Sequence, residues 1–264
     1  MLRVCFAGVT GWTAPPIIAA IAESEDLSLV AGVSRSSAGR TLAEVTGAGD
    51  GLIYASVTEA LQAAEFDVLV DYTSAATVRA HVWAAVDAGV HVVIGSSGLS
   101  GPDYAELDAL ARDRGVGVFA AGNFSLLAAV LLKAATLAAE QVPSWEIIDY
   151  ASATKPDVPS GTARELAETL GRVRAPQVGV PVDQLQGPIE ARGAEIGGTR
   201  VHSVRLPGFV VATEVVFGSG GEKLVMNHDP GSGPEPYAPG TLLAIRRVSE
   251  QPGLRRGLDS LLFG

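Results

Sequence analysis

Two short stretches of this 264-residue chain carry residue types that can do chemistry. The first runs Tyr150-Ala151-Ser152-Ala153-Thr154-Lys155-Pro156-Asp157-Val158-Pro159-Ser160-Gly161-Thr162-Ala163, and its end leads into a helical pattern. A helix start presents backbone N–H groups and a partial positive charge, so hydroxyls and amides converge at Ser160, Gly161 and Thr162, with Lys155 close by in sequence. That is an anion pocket. A small carboxylate suits it, because lysine supplies a point charge and the helix terminus supplies directed hydrogen bonds. The same residues also fit a plain helix cap beside a surface lysine.

The second stretch is Gly8-Val9-Thr10-Gly11-Trp12-Thr13-Ala14, which follows an apolar run and precedes Pro15, a residue suited to a first helical turn. It reads as a G-x-x-G-x-x-A variant of the dinucleotide fingerprint, in which small residues let the backbone approach a pyrophosphate at a helix N-terminus. The motif alone is weak, and its strand-loop-helix setting strengthens it. An NAD site usually carries Asp or Glu at the end of the second strand, whereas this chain has Val33-Ser34-Arg35-Ser36-Ser37. Arg35 can pair with a 2′-phosphate through its planar fork, flanked by the hydroxyls of Ser34 and Ser36. NADPH is therefore the expected cofactor, with NADH the alternative.

Positioning such loops takes strands and helices, and the first 121 residues supply them in alternation. Strands are expected at 3–7, 27–33, 68–71, 90–94 and 117–120, each followed by glycine or small polar residues, and helices at 15–24, 77–88 and 102–114. This is the grammar of repeated βαβ units and a parallel, doubly wound sheet. After Ser125 the style changes to a long helix (125–139), a strand (145–150), the polar loop (151–162) and a helix (163–171). An exposed Gly/Pro-rich excursion (172–198) follows. Segments 200–206, 209–218 and 222–228 read as antiparallel strands, and a helix at 240–248 with the tail 254–263 ends the chain. The fold class is α/β: a Rossmann-type parallel sheet, then an α+β unit with a mixed or antiparallel sheet.

Composition bounds the partners. With 19 Lys+Arg against 29 Asp+Glu the formal net charge is -10, which argues against nucleic acid, whose binding needs clustered basic residues. The single cysteine, Cys5, lies in an apolar run and reads as a buried thiol in a reducing compartment. No targeting segment is visible and the longest Ala/Leu-rich stretch is interrupted by Lys133, so no membrane partner and a cytoplasmic location are expected. No metal centre is expected, because histidines, carboxylates and the cysteine show no ligand spacing. His81 and His91 read as solvent-facing, His202 as structural. His228, at a strand end, is left open.

The 146–163 segment resembles the dihydrodipicolinate reductases, whose loop runs roughly E-x-x-H-H-x-x-K-x-D-x-P-S-G-T-A; Lys155, Asp157, Pro159, Ser160, Gly161, Thr162 and Ala163 match it. The resemblance covers nearly the whole chain: Gly8 to Gly11 match the nucleotide loop, Asp71-Tyr72-Thr73 a D-[FY]-[ST] strand end, and Gly95-Ser96-Ser97-Gly98 a G-T-T-G loop. Asn123-Phe124-Ser125 matches N-F-S, and His202-Ser203-Val204-Arg205 matches H-S-x-R. It implies that Tyr72, Thr73, Gly95, Ser96, Ser97, Gly98, Asn123 and Phe124 lie along the nicotinamide and the inter-domain cleft. Ser152, Lys155, Ser160, Gly161 and Thr162 would hold a small carboxylated substrate, with Lys155 the catalytic candidate. It also implies a nucleotide domain of residues 1–122 completed by 237–264, a substrate domain of 123–236, and a homotetramer.

The departure is at the histidine pair, where this chain has Ala151 and Ser152. The first family histidine is assigned to proton donation, which an alanine methyl cannot perform, and general acid catalysis typically contributes about 10²–10⁴-fold. Lys155, Tyr150, Ser152 and Thr154 are the replacement donors or relays in sequence. Trp12 stands where the family is commonly basic, so stacking or coverage replaces a phosphate contact there. The expected activity is reduction of a C=N or conjugated C=C bond in a carboxylated cyclic imine or heterocycle other than the lysine-branch substrate; a lysine-branch reductase with another donor and a non-catalytic binding protein are the alternatives.

Overall fold

The computed structural model describes residues 1–264 and divides into two compact units, Met1–Leu126 with Pro234–Gly264, and Leu127–Gly233. In chain order the first unit runs β1 (Leu2–Ala7), α1 (Ala14–Ala22), β2 (Leu27–Val33), α2 (Leu42–Thr46), β3 (Leu52–Tyr54) and α3 (Val57–Ala63). It continues with β4 (Val68–Asp71), α4 (Val78–Asp87), β5 (His91–Ile94), α5 (Gly101–Arg114) and β6 (Gly117–Ala120). Then follow α6 (Leu126–Gln141), β7 (Trp145–Ala151), α7 (Gly161–Val173), β8 (Ala194–Ile196), β9 (Thr199–Arg205), β10 (Val211–Ser219) and β11 (Glu222–His228). The chain closes with α8 (Tyr237–Arg247), β12 (Gly253–Arg256) and α9 (Asp259–Leu262).

The first unit is a seven-stranded sheet in the order β12-β6-β5-β4-β1-β2-β3, parallel at every pairing. Strands covered on both faces must be apolar throughout, and Val68–Asp71 and Gly117–Ala120 are buried at every residue. The chain builds outward from β1 in one direction and from β4 in the other. The carboxyl ends of β1 and β4 are therefore the switch point at which such sheets bind ligands, and both the Gly8 loop and the Tyr72 loop begin there. Helix ends are set locally. α5 starts on a capping box between Ser100 and Asp103 and stops at Gly115 in the left-handed region (φ 69°).

The second unit is a five-stranded sheet in the order β11-β10-β7-β9-β8. Trp145–Ala151 alternates buried and part-buried residues, so one face of β7 packs into the core with Leu166, Ala167 and Leu170 of α7, while the other does not. Trp145, Ile147, Asp149 and Ala151 share the inner face.

Three sequence expectations need correction. Segment 200–206 reads as antiparallel, but β9 runs parallel to β7, Glu146 pairing with Arg200 through Ala151 with Arg205. The connection from β7 to β9 passes through α7, which makes it a crossover rather than a hairpin. The tail, for which no element was expected, opens with Gly253–Arg256 paired in parallel with β6. The excursion 172–198 contains β8, paired with β9. His81 and His91 do not face solvent: His81 Nδ1 is 2.8 Å from Asp71 Oδ2, and His91 Nδ1 accepts the Gly117 N–H at 2.8 Å. Burial is offset in each case by a hydrogen bond that a sequence pattern does not reveal.

His91 gives a pH prediction. Burial lowers its pKa from the ordinary 6.5, and Nδ1 can accept from Gly117 only when unprotonated. A folded-state histidine with a lowered pKa favours folding fully above the unfolded value and loses that contribution as pH falls from about 6.5 toward the folded value. Thermal melts should show Tm falling below about pH 6.5, with a shallower slope in His91→Gln, whose side-chain oxygen can accept the same bond at any pH. An identical slope in the variant would rule out this contribution.

Candidate active site

In the first unit the functional loops are organised by Asp71, which ends β4 and is fully buried. Its Oδ1 accepts from Thr73 N–H (3.1 Å), Thr73 Oγ1 (2.7 Å) and Ser96 Oγ (2.5 Å), while Oδ2 meets His81 of α4. Ser96 Oγ also lies 2.7 Å from the Thr73 amide. One carboxylate thus ties the Tyr72-Thr73 loop to the Gly95-Ser96 loop. A buried carboxylate needs this many donors to offset its lost hydration. Tyr72 stacks on Phe6 (5.9 Å between ring centroids), contacts Phe124 (5.7 Å), and pairs its hydroxyl with Thr241 Oγ1 at 2.7 Å. Burial pushes the phenol pKa up, the Thr241 bond opposing it, so Tyr72 stays neutral. Gly95 is required here, because a Cβ would run into the Tyr72 ring.

The structure brings the remaining nucleotide-side residues to the same carboxyl edge of the sheet. Gly8 adopts φ 94°, and a Cβ there would strike the Tyr72 carbonyl. Thr13 occupies the N-cap of α1 without a side-chain capping bond, and Gly11 donates its N–H to the Gly8 carbonyl at 2.8 Å. Trp12 is 52% exposed with its ring edge-on to Tyr237, 6.1 Å between centroids. Thr10, Ser34 and Ser36 form a hydroxyl chain with steps of 3.1 and 3.2 Å, and Arg35 is exposed beside it. A positive-φ glycine, a helix N-terminus, a chain of hydroxyls and an exposed guanidinium without a carboxylate at the β2 end form a donor set that fits a phosphorylated dinucleotide. Ser97 and Gly98 are exposed. Asn123 and Phe124 are buried after β6, where Asn123 Oδ1 accepts from Ser125 N–H at 2.8 Å.

The second unit repeats the device. Asp149, also fully buried, accepts from Ser160 Oγ (2.6 Å), Ser160 N–H (3.0 Å), Ser203 Oγ (3.1 Å) and Arg205 Nη2 (2.8 Å). Ser160 Oγ in turn caps α7 by accepting from Ala163 N–H at 3.3 Å. Both donors of Ser160 are therefore taken by Asp149. The expectation that its hydroxyl donates to a ligand is corrected: Ser160 holds the helix start, and Gly161 and Thr162 form the first turn. Lys155 Nζ sits 2.9 Å from Asp157 Oδ1 and its amide donates to the Ser152 carbonyl at 3.0 Å. Ser152 Oγ lies 3.1 Å from Thr154 Oγ1.

Ala151 is fully buried, paired with Val211 on one side and Arg205 on the other. Tyr150 points to the opposite face, its ring stacked on Phe209 at 5.0 Å, and burial raises its pKa. His202 Nε2 is 2.7 Å from Glu146, the structural role expected of it. His228 is buried, which lowers its pKa against the opposing charge of Asp229. Asp71, Asp149 and Arg205 were given no role by sequence alone. The signal for the two aspartates was a carboxylate at or near the end of a largely apolar strand, a residue burial would exclude unless donors were bound to it.

A parallel sheet with a small-residue turn at its switch point and a second unit carrying a lysine and a serine-capped helix start define a pyridine-nucleotide-dependent oxidoreductase of two-unit build. The chain belongs to the dihydrodipicolinate reductases: the family's N-terminal model matches residues 2–124 and its C-terminal model residues 124–262. The 4-hydroxy-tetrahydrodipicolinate reductase of Halalkalibacterium halodurans is 36% identical over 269 residues, covering 100% of this chain and 98% of the relative. That of Moorella thermoacetica is 37% identical over 264 residues, with 99% and 98% covered. Among solved structures, the dipicolinate-bound dihydrodipicolinate reductase of Paenisporosarcina sp. TG-14 superposes with a TM-score of 0.76 at 28% identity, covering 98% of this chain and 99% of that one. An amine dehydrogenase from Mycobacterium smegmatis shares the fold at 15% identity, with a TM-score of 0.65 and 98% and 95% covered. No helix is long and apolar enough to cross a membrane.

The Asp71 network predicts a graded stability response. Asp71→Ala leaves the donors of Thr73, Ser96 and His81 without their acceptor and should lower unfolding stability by about 3 kcal/mol or more, at roughly 1–3 kcal/mol per unsatisfied buried group. Asp71→Asn keeps one acceptor oxygen and should cost about half as much. Urea midpoints for the two variants check the order; equal losses would show that the carboxylate does not hold these loops.

Proposed function

We propose that this protein is an NADPH-dependent reductase that delivers hydride to a C=N or conjugated C=C bond of a small carboxylated cyclic imine or heterocycle, and that its substrate has diverged from 4-hydroxy-tetrahydrodipicolinate. One observation carries the reading: Ala151, fully buried where the family loop has its proton-donating histidine, stands at the head of the loop that retains Lys155 and Ser160-Gly161-Thr162. The anion anchor is kept and the imidazole acid is not. The name of the dipicolinate-bound relative supports a planar, carboxylated ring as the ligand class.

Gly8, Thr10, Gly11, Trp12 and Thr13 would face the pyrophosphate, and Ser34, Arg35 and Ser36 the 2′-phosphate. Tyr72, Thr73, Gly95, Ser96, Ser97, Gly98, Asn123 and Phe124 would border the nicotinamide. When bound, the cofactor supplies the hydride. Lys155 holds the substrate carboxylate through charge, with the Gly161 and Thr162 first turn adding hydrogen bonds, and Ser160 keeps that turn in place. The product nitrogen or carbon takes its proton from Lys155 or from solvent through the Ser152 and Thr154 hydroxyls, 3.1 Å apart. Tyr150 is set aside as donor because it lies on the other face of β7. We further propose a cytoplasmic homotetramer. The full-length relatives favour a second reading, the lysine-branch reaction with this replacement proton path.

Following NADPH absorbance with a panel of cyclic imines and 4-hydroxy-tetrahydrodipicolinate separates the readings. Turnover of another imine with slow turnover of the lysine precursor supports divergence, rapid turnover of the precursor supports the second reading, and NADPH binding without any turnover rejects both. Ala151→His with Ser152→His should gain activity on the lysine precursor, within the roughly 10²–10⁴-fold of a positioned acid, and leave the natural reaction unimproved. Since Ala151 is buried against Arg205, the double variant should also melt at lower temperature. Loss of rapid wild-type turnover of the precursor on restoring the histidines would sink the divergence.

Cofactor choice is tested separately. Arg35→Ala should weaken NADPH by about 1–3 kcal/mol, the range for a charge-assisted contact, while NADH binding stays near wild type. Calorimetric titration of both cofactors reads the difference, and equal losses would refute the 2′-phosphate assignment.

A further inference from the structure

The loop between β7 and α7 has no regular secondary structure from Ser152 to Ser160, yet it is fastened at two points by a single ion pair. Asp149 holds its far end through both donors of Ser160. Arg205 holds its middle: Nη2 donates to the Asp157 carbonyl at 2.7 Å as well as to Asp149 Oδ2 at 2.8 Å, and Nη1 donates to the Asp149 carbonyl at 3.3 Å and the Val204 carbonyl at 3.0 Å. One guanidinium therefore ties β7, its own strand and the residue whose side chain pairs with Lys155 Nζ. Its remaining N–H, at Nε, is buried with no acceptor. Leaving a buried donor unpaired is costly, and the four bonds made by Nη1 and Nη2 to Asp149, Val204 and Asp157 hold the guanidinium in place despite that cost.

We infer that Asp149 and Arg205 are positioning residues for the anion-binding loop: they fix Lys155 and the first turn of α7 at one separation before a ligand arrives, and so set the affinity for a carboxylated substrate. The inference rests on the reading of this loop as the substrate anchor. Ordering such a loop only on binding would subtract its conformational entropy from the binding energy, which pre-ordering avoids. Arginine is required because separate nitrogens must address acceptors on a strand and on a loop; the single ammonium of a lysine cannot reproduce that fork.

The experiment uses the full chain with saturating NADPH and titrates dipicolinate and picolinate calorimetrically into wild type, Arg205→Lys and Asp149→Asn. NADPH affinity, measured on the same preparations, reports the intact nucleotide unit. The expected result is at least a tenfold rise in Kd for the pyridine carboxylates in both variants, with the NADPH Kd within twofold of wild type. For a turned-over imine, KM should rise by the same factor and kcat should change by less than threefold, a split that a general loss of folded protein would not produce. Asp149→Asn, being isosteric, carries the test if Arg205→Lys does not fold. Unchanged pyridine-carboxylate affinity in a folded variant overturns the inference, as does a parallel loss of NADPH binding. Failure of wild type to bind either ligand overturns the anchor reading instead.

Discussion

A fully buried carboxylate at or near the end of a strand, Asp71 ending β4 and Asp149 two residues before the end of β7, is the constraint on which both units turn. Burying an ionised carboxylate costs several kcal/mol unless donors replace its water. The strand itself cannot provide them, since its amides are engaged in the ladder. The donors come from the loops that follow and from neighbouring elements, and each unit recruits two hydroxyls and one nitrogen side chain: Thr73, Ser96 and His81 of α4 around Asp71, and Ser160 with Ser203 and Arg205 of β9 around Asp149. Loops that would otherwise roam in solvent are thereby fixed at the carboxyl edge of the sheet. The Ser and Thr residues of the recognised motifs serve the folded chain first, and any ligand meets what that arrangement leaves.

This has an electrostatic consequence in the second unit. Asp149 is paired with Arg205 and Lys155 with Asp157, so the two carboxylates and two cations balance formally. In the proposed reading an incoming carboxylate does not meet a bare positive site. It competes with Asp157 for Lys155, which is about one-third exposed and so partly screened by water. The ligand must therefore offer more than charge, and planar shape or a second polar group can supply that discrimination. Such a site favours selectivity over raw affinity.

The strands 27–33, 68–71 and 117–120 were legible because a buried parallel strand is a continuous apolar run bounded by small residues. β3 and β12 were not, since three or four residues carry too little pattern and their pairing comes from neighbours distant in sequence, β2 and β6. The direction of β9 was misread for a related reason: alternation reports which face is buried and is silent on whether the partner runs parallel or antiparallel. The site was legible as a set of motifs. The division of labour inside it was not, because Ser160 and Thr73 look like ligand donors until the buried aspartates that bind them are located in space. His81 was misjudged for the same reason.

Ala151 shows how far the departure from the family loop extends. It is the last residue of β7, on the inner face with Ile147 and Asp149, and its neighbour across the sheet is Arg205, whose guanidinium closes over Asp149 two residues back. An imidazole at this position would need volume on a face that is already fully covered, beside a cation whose four hydrogen bonds join β7, β9 and the loop carbonyl of Asp157. In the proposed reading, a larger side chain beside Arg205 in the ladder therefore bears on the loop that holds the substrate as well as on the proton supply. In that reading substrate holding and proton delivery meet at one strand end. Alanine, which adds a single methyl and no polar group needing a partner, leaves the Asp149–Arg205 pair undisturbed, whereas a histidine restored there has to gain its volume by shifting that face, which is why its cost is expected in stability.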